Sequence, residues 1–160
     1  MERDTGINQV IEIANRLIID RVNRESGSQR RPERVFLSFA HQDAETANAL
    51  ASSLGKRQIE VLIGDAEIRS DQMIPVSIEQ ALLRSDVCAV LWSRNYALSQ
   101  YCFDELDLAI NRQSLGRMTV WLFNLDDSTI VPTHARKLPA ISLRNPQSVD
   151  TIVDELLSED

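Results

Sequence analysis

The chain has 160 residues, 43% hydrophobic and 26% charged, which is enough for one domain with a sizeable core. Its formal net charge of -7 argues against a dedicated nucleic-acid or anionic-membrane binder. Two cysteines and two histidines give neither a disulfide framework nor a zinc-ligand spacing. No signal peptide and no apolar run of membrane-spanning length is evident, so a cytoplasmic protein without metal or membrane partner is expected.

Ile7, Val10, Ile11, Ala14, Leu17 and Ile18 recur at helical spacing and predict an amphipathic helix over residues 7–22. Residues 23–32 are polar and carry Gly27 and Pro32, the composition of a linker. Arg21, Arg24, Arg30, Arg31 and Arg34 form a basic cluster there, read as solvated linker charge rather than a phosphate site. The chain thus divides into an N-terminal helix and linker, 1–33, and a domain, 34–160.

Within the domain apolar runs alternate with helical patterns. Residues 35–39 read as a strand, followed by a helix from Asp43 or Ala44 to about Arg57 with Ala47, Leu50, Ala51 and Leu54 on one face and Gly55 near its end. Residues 59–63 are a second strand, and 64–74 a long loop. Pro75 suits the first position of a helix carrying Ile78, Ala81 and Leu82. Residues 87–92 are continuously apolar, as a central parallel strand must be. A helix follows from Ser99, then a strand at 119–123, an acidic turn at Asp126 and Asp127, and a loop with Pro132 and Pro139. A short strand at 141–143 precedes a last helix with Val149, Ile152, Val153, Leu156 and Leu157. Five strands alternating with helices predict an α/β, flavodoxin-like, five-stranded parallel sheet with helices on both faces, plus the N-terminal helix.

In such a sheet the ligand crevice lies beyond the carboxyl ends of the strands. The segments 39–43, 64–71 and 92–96 leave the sheet at that edge. No phosphate loop, dinucleotide fingerprint or nucleophile elbow is present, which disfavours a nucleotide hydrolase, a dehydrogenase and an α/β-hydrolase. A response-regulator receiver needs acids where this chain has Phe39-Ala40 and Trp92-Ser93, so that reading fails.

The helix from Ser99 carries three acids, Asp104, Glu105 and Asp107. Cys102, Leu106 and Ala109 define its apolar face, and Glu105 lies roughly 60° from Cys102 on the helical wheel while the other two point away. A carboxylate aimed at the domain body must be paired, hydrogen-bonded or kept for chemistry.

Several boxes occur in a familiar order. They are Arg34-Val35-Phe36-Leu37-Ser38-Phe39 with Asp43, then Val61-Leu62-Ile63 through Glu67-Ile68, then Ser85-Asp86 and the apolar strand to Ser93, and finally Ser99-Gln100-Tyr101-Cys102-Phe103-Asp104-Glu105-Leu106. On these residues the segment 34–157 resembles a TIR (Toll/interleukin-1 receptor homology) domain, the last box being similar to the family's Ser-x-Trp-Cys-x-x-Glu-Leu. The resemblance implies cleavage of NAD+ at the nicotinamide–ribose bond, as hydrolase or ADP-ribosyl cyclase, with Glu105 as the catalytic acid and NAD+ as substrate rather than cofactor. It also implies activation by self-association of TIR domains, under an upstream sensor or activator. The compact acidic chain resembles bacterial TIR proteins of antiphage defence or virulence. A non-catalytic TIR adaptor is the alternative, and the presence of the motif Glu separates the two.

Candidate substrate contacts around Glu105 are Phe39 and Trp92 for stacking, Ser38 and Ser93 for ribose hydroxyls, Arg69 for a phosphate, and Ala40, Tyr101 and Cys102 beside them. Each has a structural alternative: core packing for the aromatics, turn capping for the serines and solvation for Arg69. The chain departs from the family pattern at Ser70-Asp71, where a glycine is usual, at Gly64, where an acid is common, and at Tyr101. Without that glycine the loop loses a position that takes positive φ cheaply.

Overall fold

The computed structural model of the chain describes residues 2–25, 31–63, 76–144 and 148–157. The elements are α1 (Glu2–Glu25), β1 (Arg34–Ser38), a 3-10 turn (His41–Asp43), α2 (Ala44–Lys56), β2 (Glu60–Ile63), α3 (Val76–Leu83), β3 (Val87–Trp92), α4 (Arg94–Ala97), α5 (Gln100–Ser114), β4 (Thr119–Asn124), β5 (Ala140–Ser142) and α6 (Val149–Leu156). All strand pairings are parallel and the order is β2-β1-β3-β4-β5, the flavodoxin-like order.

The period-two alternation of the strands divides the core into two layers. Val35, Leu37, Ala89, Leu91, Trp121, Phe123 and Ile141 turn to one side, where α1, α2 and α6 cover them with Ile19, Leu50, Leu54, Ile152 and Val153. Phe36, Cys88, Val90, Trp92, Val120 and Leu122 turn to the other, under Leu82 of α3, Tyr96 of α4, and Tyr101, Cys102, Leu106 and Ala109 of α5. β3 is buried along its whole length, as its unbroken apolar run requires.

Local chemistry sets the helix ends. Ser99 caps α5 by accepting from the Cys102 amide at 3.2 Å. The chain leaves α5 at Gly116, whose φ of 72° turns the Arg117 N–H back onto the Arg112 carbonyl while its own N–H reaches Gln113. α2 ends the same way, but with Gln58 at φ 64° in the left-handed position; Gly55 lies inside the helix.

The structure amends several expectations. The first strand runs 34–38 rather than 35–39, which leaves Phe39 just beyond it, and the second begins at Glu60 rather than at residue 59. The N-terminal helix extends beyond 7–22 at both ends, so Asn23–Glu25 continue it rather than beginning a linker. The last strand starts one residue earlier than its apolar core suggests, because Ala140 pairs with Leu122. The four-residue α4 lacks enough length for a periodic pattern, but the Ser93 side chain caps it by accepting from Tyr96 N–H at 3.1 Å. The loop expected over 64–74, with Arg69, Ser70 and Asp71, and Pro75 after it, lies outside the described residues.

α1 packs on β5 and α6 through Ile18, Ile19 and Val22. Its Asn15 side chain donates to the Ser142 carbonyl at 2.8 Å and accepts from the Ser142 N–H at 2.9 Å. Val10, Ile13 and Leu17 stay exposed on the outer side of the helix. Among the described residues no helix is long and apolar enough to cross a membrane.

Candidate active site

The sheet order reverses direction between β1 and β3, and the crevice of this fold class opens beyond the carboxyl ends of those two strands. Ser38 is the last residue of β1 and Trp92 the last of β3. α5 crosses beneath them and brings Glu105 up against Ser38, 67 residues away in sequence.

Glu105 is 1% exposed, the only buried acid among the described residues. Its Oε1 accepts from Ser38 Oγ at 2.6 Å. Its Oε2 is buried with no hydrogen-bond partner among the described residues. The Ser38 hydroxyl also lies 2.7 Å from the Tyr96 hydroxyl, which donates to the Cys102 carbonyl at 2.9 Å. Burial pushes the Glu105 carboxyl up to about 8; the Ser38 hydrogen bond offsets part of that, and the nearby charge of Asp104 adds to it. The thiols of Cys88 and Cys102 also rise, Cys102 to about 12, chiefly by burial, so neither is a ready nucleophile.

The sequence-nominated residues separate on inspection. Ser38 meets Glu105 directly and Cys102 lies within its electrostatic reach, while Tyr101 and Trp92 share the same α4/α5 layer; all four are buried. Trp92 lies tilted against Tyr96 with centroids 5.4 Å apart and meets Phe103 edge-on at 6.0 Å, and as a fully buried ring it packs and presents no face to a ligand. Its indole Nε1 is buried without a hydrogen-bond partner among the described residues. Ala40 is buried in the same layer. Phe39 is half-buried and packs into the opposite layer, under α1, α2 and α6, so it is not beside Glu105. Ser93 caps α4 and donates to the Asp43 carboxylate, a turn-building role. Arg69 lies outside the described residues.

Tyr96 is the residue that sequence reasoning missed. One signal was available: a serine leaving a strand with a tyrosine three residues on, in a polar tetrapeptide too short for a core helix. Nothing in the spacing announced its contact with Ser38, 58 residues away.

The fold is a flavodoxin-like α/β domain with one buried acid near the carboxyl edge of its sheet. A family model described as TIR domain matches residues 35–157, and the chain belongs to that family. Similar curated proteins include disease resistance protein RPS6 of Arabidopsis thaliana, 28% identical over 117 residues, covering 70% of this chain and 10% of that protein. Disease resistance protein RPV1 of Vitis rotundifolia is 33% identical over 106 residues, covering 64% of this chain and 7% of that protein. This chain therefore spans about a tenth or less of the length of these relatives. Neither name speaks to the bacterial origin that the sequence resemblance implied. Among solved structures, the TIR domains of the activated Roq1 resistosome, which directly recognises the pathogen effector XopQ, align at TM-score 0.53 and 26% identity, over 59% of this chain and 58% of that one. The TIR domain of the Toll-related receptor TRR-2 from Hydra magnipapillata aligns at TM-score 0.57 over 76% of this chain and 93% of that one; at 15% identity it speaks to the fold alone.

Proposed function

We propose that this domain cleaves NAD+ at the nicotinamide–ribose bond and does so in an assembled state, as part of immune or defence signalling. The observation that carries the reading is Glu105: a buried carboxyl at the carboxyl edge of the sheet, held through one oxygen and without a partner among the described residues at the other. The chemistry suits one carboxylate. The C1′–N bond breaks with its electron pair moving to the cationic pyridinium nitrogen, so nicotinamide leaves neutral and needs no general acid. The ribosyl oxocarbenium that remains is stabilised by a nearby negative charge, most strongly where water is excluded. Water then adds at C1′, and its proton passes to the carboxylate and on to solvent; the products are nicotinamide, ADP-ribose and a proton. Capture by a hydroxyl of the same molecule gives the cyclic product instead. A carboxyl near 8 is mostly protonated at neutral pH, but the positive charge of bound NAD+ favours its ionised form.

Self-association as the trigger is supported by the likeness to TIR domains found within an activated resistosome. Defence signalling is supported by the likeness to two plant disease resistance proteins. The test is nicotinamide release from NAD+ by concentrated or activator-bound protein. Wild type is expected to release it and Glu105→Ala to fail while keeping its circular-dichroism spectrum. Release undiminished in Glu105→Ala, or none from wild type in any assembled state, rejects the enzyme reading. One observation favours the second reading, a non-catalytic adaptor: in the single chain Glu105 is shut away from solvent. An adaptor would bind other TIR domains normally and leave NAD+ intact.

A further inference from the structure

We infer that Tyr96 and Ser38 are positioning residues for Glu105: their hydroxyls form a chain from the carboxyl to the Cys102 carbonyl that fixes Oε1 and leaves Oε2 as the oxygen that faces the reacting centre. The inference rests on the NAD+-cleavage reading and deepens it. Three contacts link four groups in series: Glu105 Oε1 to Ser38 Oγ at 2.6 Å, Ser38 Oγ to Tyr96 Oη at 2.7 Å, and Tyr96 Oη to the Cys102 carbonyl at 2.9 Å. The carbonyl only accepts, so Tyr96 must donate to it, and Tyr96 has a single proton.

With Glu105 ionised, Ser38 donates to the carboxylate, and the two hydroxyl protons serve three contacts. The Ser38–Tyr96 contact then has no hydrogen between its oxygens. With Glu105 protonated on Oε1, the carboxyl donates to Ser38, Ser38 to Tyr96, and Tyr96 to Cys102, and every contact is filled. All three side chains are buried, so water cannot cheaply replace a missing partner. A neutral acid therefore fills the chain more completely than an ionised one, and ionisation turns the Ser38 hydroxyl around from Tyr96 to Glu105, the direction in which it donates to Oε1. The groups facing this carboxyl agree with that direction: Cys88 from β3, Tyr96 from α4, and Cys102 and Asp104 from α5 are neutral or negative, with Asp43 acting on Cys102 behind them. Glu105 has no ion-pair partner among the described residues, and burial is the leading cause of its raised value.

The two hydroxyls then have opposite effects. Ser38→Ala removes the donor to the charged form, so ionisation becomes harder. Tyr96→Phe removes the acceptor of the Ser38 proton in the neutral form, so Ser38 is left to donate to Glu105 and ionisation becomes easier. Nicotinamide release by wild type is expected to rise with pH through the Glu105 titration. Ser38→Ala should move that rise to higher pH and Tyr96→Phe to lower pH, each by about half to one pH unit. A residue that merely supports the fold would lower the rate without moving the midpoint in a chosen direction.

A second measurement needs no turnover: the Glu105 carboxyl carbon is titrated by NMR in wild type, Ser38→Ala and Tyr96→Phe, its signal assigned by its absence in Glu105→Gln. Opposite displacements of the midpoint sustain the inference. Coincident midpoints, or both moving the same way, overturn it even if the enzyme is active and Glu105-dependent. If wild type releases no nicotinamide, the reading beneath it falls, while the NMR titration still decides whether the hydroxyl chain sets the protonation of Glu105.

Discussion

The two faces of the sheet are built on different principles. Under α1, α2 and α6 the layer is almost wholly aliphatic and aromatic, and its buried polar side chains are partnered: Asn15 with Ser142 and Ser53 with Asp150, while Arg57 meets Asp154 at the surface. Under α4 and α5 the layer is also apolar but encloses Ser38, Ser93, Tyr96 and Glu105, with two of its buried polar atoms, Glu105 Oε2 and Trp92 Nε1, lacking a partner among the described residues. A sequence selected for stability alone would resemble the first face throughout, because an unmatched buried polar atom costs about 1–3 kcal/mol. The second face gives up stability to keep a carboxyl where water cannot level its charge.

The contrast can be broken at several points. The largest effect is expected at Glu105→Ala, which should lower NAD+ cleavage about a thousandfold or more, read as nicotinamide release, with little loss of folded protein. Leu50→Ala does the reverse on the other face: this fully buried α2 residue should cost about 2–5 kcal/mol in denaturant unfolding while the rate per folded molecule stays unchanged. Equal loss of activity and stability in either variant would erase the division of labour.

Glu105→Gln probes the stored penalty itself. The folded-state carboxyl value, about 8, lies above the ordinary 4.5, so the folded protein holds this proton more tightly than the unfolded chain. The contribution to stability is therefore complete below 4.5 and lost as pH rises through about 8. A glutamine amide can donate to Ser38 as the protonated acid does, without that loss. The variant should match wild type in acid and exceed it by on the order of 5 kcal/mol above the upper value, measured as unfolding free energy against pH. A pH-independent difference would mean the carboxyl is not held neutral. The smallest effect is expected at the rim of the first face, where Asn15→Ala should cost about 1–2 kcal/mol and speed hydrogen exchange at the Ser142 amide.

Much of this was legible in the chain itself. The apolar run 87–92 became β3 at its expected bounds, and the wheel position of Glu105 beside Cys102 anticipated its burial, because both signals are local and periodic. The wheel could not say what Glu105 would meet. Its partner Ser38 stands at a strand end on another element, and Tyr96 reaches the pair from a single helical turn that carries no periodicity. Phe39 and Trp92 looked equivalent as aromatics leaving strands, yet strand parity sent Phe39 to one layer and Trp92 to the other. Contacts made across 58 or 67 residues depend on register, which five short strands fix only together.

The bond from Asn15 has a consequence for how copies of this domain behave in a crowd. β5 is an outer strand, and an outer strand with vacant amide and carbonyl groups invites a strand from another molecule. By meeting both groups of Ser142 with one side-chain amide, α1 mimics the neighbour that the strand lacks. Drawing α1 away would leave both groups of Ser142 without a partner and uncover Ile19 and Val22, so the helix closes the sheet edge as well as the core layer beneath it.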